Sequence, residues 1–248
     1  MNLSDFFEKN TAGALAFSGG TDSSLLVWAA AKYGQNWHAY YVHSAFQPAF
    51  ELEDARKIAA FCNLPMTVLE ADVLSDFQIA SNPANRCYYC KHTAFGMIQR
   101  AASADGYSLL IDGTNASDEE DDRPGMQALR ELKVRSPLRE CGLTKQDVRR
   151  LSREAGLFTW DKPAYACLAT RIPTGTEITA EQLQKVERGE NTLFELGFSD
   201  FRIRLHGGTA LLQLPENQFS LAMDLRRKIL SRLSTEFSSV VLDLKPRL

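Results

Sequence analysis

The run Ala14-Leu15-Ala16-Phe17-Ser18-Gly19-Gly20-Thr21-Asp22-Ser23-Ser24 decides how the chain is read. Its four leading apolar residues predict a short buried strand. The two glycines allow a tight turn and a close backbone approach. Residues 24–33 then predict a helix, so the glycines and hydroxyls fall where strand passes into helix. Amides at a helix start, aided by the dipole, favour an anion. The hydroxyls of Ser18, Thr21, Ser23 and Ser24 add donors. The loop lacks the Gly-Lys-Ser/Thr ending of a Walker A motif, and with it a lysine for a transferring γ-phosphate. A capped turn chosen for geometry alone is the plainer reading, but the density of hydroxyls favours phosphate binding.

Outward from the loop, strands and helices alternate. Strands are expected at 37–43, 66–70 and 108–112, and helices at 51–63 and 91–105. This order predicts a parallel sheet covered on both faces, with chemistry in the loops after Phe17, His43 and Asp112. A helix is expected near 125–132, and another at 145–155, with Thr144 as cap and Gly156 as stop. The irregular stretch 158–176 is long enough to suggest function. After it come a helix at 179–196, strands at 201–205 and 210–214 turning at Gly207-Gly208, a helix at 217–233 and a strand at 240–244. The expectation is an α/β chain: a parallel-sheet domain over 1–172 and a small α+β domain over 173–248.

With 248 residues, 44% apolar and 24% charged, the chain has the composition of a folded soluble protein. A net charge of −3 supplies no general field for nucleic acid or an anionic membrane. No apolar run approaches 18 residues, which predicts no membrane span. Residues 1–10 predict no export signal. Five cysteines, at 62, 87, 90, 141 and 167, are an odd number and do not read as a disulfide framework, so a reducing cytoplasm is expected.

Two cysteine segments carry chemical interest. Arg86-Cys87-Tyr88-Tyr89-Cys90-Lys91 sets two thiols beside two cations, which favour the thiolate. A zinc ribbon would need a second pair. A structural pair, a redox dithiol, or an iron–sulfur site completed by one distant cysteine all stay open. Cys167 lies in Asp161-Lys162-Pro163-Ala164-Tyr165-Ala166-Cys167-Leu168-Ala169-Thr170-Arg171-Ile172-Pro173, between the cations Lys162 and Arg171. Arg202 and Arg204 alternate along a strand and share a face, suited either to a bidentate phosphate contact or to solvent. Glu190 is a helix carboxylate expected near that face. The acidic run 118–122 reads as a solvated loop, with a magnesium contact as the alternative. Cys62 is expected in the core, and Cys141 in a loop without chemistry.

The loop from Ser18 to Ser24 resembles the signature of the ATP pyrophosphatase superfamily, the PP-loop enzymes. The segment around Cys167 resembles that of the ATP-dependent sacrificial sulfur transferases, the LarE family. Further similar stretches are Asn85-Arg86-Cys87-Tyr88-Tyr89-Cys90-Lys91, Asp112-Gly113-Thr114-Asn115, Asp122-Arg123-Pro124-Gly125, Ser136-Pro137-Leu138 and Thr144-Lys145. Trp160, Glu190, Arg202, Arg204 and His206 complete the likeness, which spans about residues 13 to 210.

The resemblance implies a PP-loop fold, ATP and magnesium, and adenylation of a carboxylate with release of pyrophosphate. It implies ATP contacts from Ala16, Phe17, Ser18, Gly19, Gly20, Thr21, Asp22, Ser23 and Ser24, joined by Ser44, Arg86, Gly113 and Thr114. Asp22 would position magnesium. The implied substrate is a pyridinium dicarboxylate mononucleotide, its phosphate met by Arg202 and Arg204 with Glu190 nearby. In one version of the family the matching cysteine, here Cys167, gives up its own sulfur. In another, three cysteines, here Cys87, Cys90 and Cys167, hold a four-iron four-sulfur cluster. The resemblance also implies a homo-oligomer built from trimers, with no nucleic-acid or membrane partner. A tRNA thiolase, an NAD- or GMP-synthetase-like amidotransferase and a noncatalytic nucleotide binder are the competing readings.

Overall fold

The computed structural model describes residues 2–118 and 124–247. The chain forms two compact units, Met1–Asp72 with Asn85–Lys162, and Val73–Ala84 with Pro163–Leu248.

The first unit opens with α1 (Leu3–Lys9), β1 (Ala12–Ala16), α2 (Thr21–Tyr33), β2 (Asn36–His43), α3 (Ala49–Cys62) and β3 (Met66–Glu70). The short α4 (Phe77–Ala80) belongs to the second unit. The chain then returns as α5 (Arg86–Ala104), β4 (Leu110–Ile111), α6 (Pro124–Glu131), α7 (Pro137–Glu140) and α8 (Lys145–Glu154). The four strands pair in the order β3-β2-β1-β4, all parallel.

Parallel sheets must be covered on both faces, and the alternation along β1 and β2 provides for this. Leu15, Ala39 and Tyr41 face one cluster with Leu25, Leu26, Phe6, Phe7 and Ile58. Ala14 and Tyr40 face the other, with Ile98, Ala102 and Leu110. Because all the strands run the same way, the loops after Ala16, His43, Glu70 and Ile111 lie at one end of the sheet.

Several local expectations differ from the structure, two of them with a clear physical reason. Helix α1 has no counterpart in the sequence reading, since seven residues are too few to display a helical period. Its stability is tertiary. Leu3, Phe6 and Phe7 are buried, Asn2 and Asp5 form a capping box, and Phe7 meets Trp37 edge-on at 4.9 Å. Each buried Phe is worth roughly 1.5–3 kcal/mol. Helix α5 starts at Arg86 rather than 91, which places Cys87 and Cys90 inside its first turns.

The second unit contains α9 (Ala180–Glu195), β5 (Arg202–His206), β6 (Thr209–Gln213), α10 (Phe219–Leu233) and β7 (Ser239–Leu242). As expected, β5 and β6 form an antiparallel hairpin, and β7 joins β6 in parallel. Residues 73–84 are bound into this unit through Asn82, whose side-chain amide donates to Pro173 O at 2.9 Å and whose carbonyl accepts from Gly175 N at 2.8 Å. The backbone amide of Ile178 donates to Ala80 O at 2.7 Å. The change of unit falls at Lys162/Pro163, ten residues before the division expected from sequence at 172/173. Among the described residues no helix is long and apolar enough to cross a membrane.

Candidate active site

In the first unit the site is built where β1 ends. Phe17 N still donates to Tyr40 O at 2.9 Å, then the chain turns through Ser18, Gly19 and Gly20 into α2. Gly19 has φ +73°, and a Cβ there would stand 2.9 Å from Glu51 O, so this position requires glycine. Gly20 is the N-cap and supplies no side-chain cap. The first intrahelical bond runs from Ser24 N to Gly20 O, so the amides of Thr21, Asp22 and Ser23 precede it.

The loop hydroxyls divide into two roles. The Ser18 and Ser23 hydroxyls lie 3.0 Å apart, and Ser18 is exposed. Thr21 Oγ1 donates to Thr159 O at 2.8 Å and is spent on the scaffold. Ser24 is fully buried beneath the helix start.

The loop after β4 closes on the same helix start. A Cβ on Gly113 would fall 2.9 Å from Ser23 N, so the 112–115 segment runs backbone to backbone against α2. Asp112, buried, accepts from Thr114 Oγ1 at 2.5 Å and from Ser136 Oγ at 2.6 Å. Thr114 therefore braces the loop. Asn115 Nδ2 donates to Asp22 Oδ1 at 3.2 Å, and Lys145 Nζ lies 2.5 Å from Asp22 Oδ2.

Lys145 enters the sequence analysis only within the Thr144-Lys145 stretch of the resemblance, with no role assigned to it. The glycine-hydroxyl turn has no lysine of its own, yet α8 delivers one beside it. A signal existed: Lys145 is the first residue of α8, where a cation opposes the helix dipole. The cost is offset by the Thr144/Asp147 capping box, whose hydrogen bonds hold the Asp147 carboxyl below its usual range.

The remaining candidates of this unit are placed as follows. Ser44 is buried and donates to Gln47 Oε1 at 2.8 Å. Arg86 is buried at the start of α5, with Cys87 exposed and Cys90 half-buried one turn further on. Residues 119–122 of the acidic run lie outside the described residues. Lys162, expected to act as a cation beside Cys167, pairs with Asp54 at 2.7 Å. As expected, Cys62 packs against the core, and burial pushes its thiol up to about 11. Cys141 also packs there, and burial raises its thiol.

Asp22, expected to position magnesium, holds Asn115 Nδ2 at one oxygen and Lys145 Nζ at the other. Of the three thiols suited to an iron–sulfur cluster, Cys87 and Cys90 belong to the first unit and Cys167 to the second. Among the described residues no group of three His, Cys, Asp or Glu could hold a metal ion.

In the second unit Cys167 precedes a single 3-10 turn, Leu168–Arg171. Arg171 behind it is fully buried and pairs with Glu190 twice, Nε to Oε1 at 2.7 Å and Nη2 to Oε2 at 3.1 Å. Burial opposes the Arg171 charge, but the bond to Glu190 and its negative charge prevail and raise its pKa. Glu190 also accepts from Ile203 N at 3.0 Å and from the Tyr165 hydroxyl. It is thus a buried helix residue, satisfied by protein groups. The cations expected to flank Cys167 are each matched by a carboxylate.

Arg202 and Arg204 hold the same segment. Arg202 Nη2 donates to Ala164 O at 2.6 Å, and Arg204 Nη1 to Thr170 O at 2.6 Å. Burial, aided by repulsion from Arg171 and Arg247, lowers the Arg202 guanidinium to about 10. Neither arginine forms a salt bridge with a carboxylate among the described residues.

The chain matches no protein-family model. It is 33% identical over 233 residues to the pyridinium-3,5-bisthiocarboxylic acid mononucleotide synthase of Lactiplantibacillus plantarum, covering 93% of this chain and 84% of that protein. It is 40% identical to an uncharacterised protein of Synechocystis, over 88% of this chain and 81% of the relative. It is 28% identical to an uncharacterised protein of Methanocaldococcus jannaschii, over 93% and 88%.

Proposed function

The chain belongs to the LarE family of sulfur transferases, and on that premise we propose that it is an ATP-dependent sulfur transferase of nickel-pincer cofactor biosynthesis. The observation that carries the reading is the glycine-hydroxyl turn at the carboxyl end of β1, opening α2 with Lys145 beside it. Such a turn suits the pyrophosphate portion of ATP.

The substrate class is a pyridinium dicarboxylate mononucleotide. A carboxylate resists attack by sulfur because oxide is a poor leaving group. Its oxygen first attacks the α-phosphorus of ATP, and pyrophosphate departs from the loop. The Cys167 thiolate then attacks the acyl carbon, and AMP leaves with the former carboxylate oxygen. Removal of the Cys167 α-proton breaks its Cβ–S bond, leaving a thiocarboxylate and dehydroalanine. No step requires Cys87 or Cys90, and a cluster-borne sulfur is the competing outcome of the test below.

Arg202 supports a place for the nucleotide's phosphate. Among the described residues the buried Arg202 guanidinium forms no salt bridge, which favours an incoming anion. Bidentate bonds to phosphate are stronger than those to the neutral carbonyls it now holds.

The test is incubation of pure protein with ATP, magnesium and the dicarboxylate mononucleotide. The expected products are AMP, pyrophosphate and a thiocarboxylate, with Cys167 losing the elements of hydrogen sulfide in intact-mass analysis. Product formed over many turnovers with Cys167 intact, by protein containing iron and sulfide, selects the cluster route. Full activity in Cys167→Ala rules out the role assigned to that residue.

A further inference from the structure

We infer that Arg171 is the positioning residue for Cys167, holding the peptide groups on both sides of the thiol-bearing carbon so that the side chain leaves the segment in one direction. The inference deepens the proposed sulfur-transfer reading and rests on it for the meaning of Cys167, but not for its geometry.

Arg171 Nη1 donates to Ala166 O at 2.9 Å and reaches Cys167 O at 3.5 Å. The first carbonyl belongs to the peptide entering Cys167 and the second to the peptide leaving it. Fixing both planes fixes the two soft torsions of the residue, and with them the Cα–Cβ direction. Cys167 accordingly has φ −52° and ψ 149° as the cap of the 3-10 turn. Its carbonyl is held further by Thr170, through the backbone amide at 3.0 Å and the hydroxyl at 2.8 Å. Arg171 Nη1 also meets that hydroxyl at 2.8 Å.

The guanidinium is itself immobile. Glu190 grips it by two bonds, and the Tyr165 ring stacks on it at 4.6 Å while the Tyr165 hydroxyl ties to Glu190. Because Glu190 compensates the charge, the pair brings the thiol a rigid mount rather than a net positive field. A lysine could keep the charge but not the planar fork. This separates the inference from the expectation drawn from sequence, in which Arg171 acts as a cation.

The test is Arg171→Lys, with peptide-resolved alkylation of Cys167 across pH and single-turnover thiolation. We expect thiolation to slow by about tenfold or more, since a misplaced nucleophile costs rate. We expect the midpoint of the alkylation profile to move by less than about half a pH unit. Retention of the wild-type rate by this charge-keeping variant, the result a charge effect predicts, overturns the inference, and so does a midpoint shift of about one unit or more, which would lay the loss on the thiol's ionisation and not its position. If Arg171→Lys does not fold, Thr170→Val and Thr170→Ser decide. The serine variant should restore the rate that valine loses, and equal rates overturn the inference. If wild-type protein makes no thiolated product, the functional reading has failed. Amide exchange at residues 168–170 then still decides, expected to quicken by about tenfold in Arg171→Lys, with unchanged exchange overturning the inference.

Discussion

Lys145 Nζ lies 2.5 Å from Asp22 Oδ2, although 123 positions separate the two residues in sequence. The pair joins the first turn of α2 to the first turn of α8, so two helix N-termini and a lysine converge at the glycine-hydroxyl turn. The cation stands where an incoming pyrophosphate would compete with Asp22 for it. Lys145→Ala should therefore weaken ATP binding by about tenfold, the loss of one charge-assisted contact. The pair is only half-buried and contributes little to stability, about 1 kcal/mol or less. Titration calorimetry with ATP and thermal denaturation check the two halves, and a large fall in melting temperature with unchanged affinity would show a structural role instead.

Gly113 is the second contact on which the loop depends. A methyl group there would enter the space of Ser23 N at 2.9 Å, and backbone cannot swing aside as a side chain can. Gly113→Ala should cost about 1–3 kcal/mol in stability and weaken ATP binding by displacing α2 from the loop. Chemical denaturation and nucleotide titration of the variant read both effects.

Glu190 provides a test of burial. Its carboxylate is matched to Arg171 with both side chains almost wholly hidden from solvent. Removing one partner strands a buried charge, so Glu190→Ala should destabilise the protein by about 3–5 kcal/mol. A carboxylate serving only substrate would leave the denaturation midpoint unchanged.

Cys62 sets a pH dependence. Burial holds its thiol protonated until about 11, against an ordinary value of 9.0. Between these values the unfolded chain has released the proton and the folded chain has kept it. Stability therefore falls as pH rises through that window. Cys62→Ala should flatten the slope in denaturation series from pH 8 to about 11. In wild-type protein at pH 8, alkylation should modify the exposed Cys87 well before Cys62.

The chain itself determined the alternation of strands and helices, the direction of the parallel sheet and the position of the glycine-hydroxyl turn at its carboxyl end. These rest on local signals: apolar runs, periodicity and glycine placement speak for themselves over a few residues. The hairpin at Gly207-Gly208 and the burial of Cys62 were legible for the same reason. Helix α1 was not, because its seven residues are too few to show a period and rely on burying Leu3, Phe6 and Phe7 in the core. Only the tertiary structure decided which charges meet. Asp22 with Lys145, Lys162 with Asp54 and Arg171 with Glu190 are pairings across long stretches of chain, and no sequence period encodes them. The same holds for Arg202 and Arg204: their spacing put them on one face, while folding set the carbonyls of the Cys167 segment against them. A charged residue announces its sign in the sequence, but its electrostatic effect depends on what folding places within a few ångströms of it.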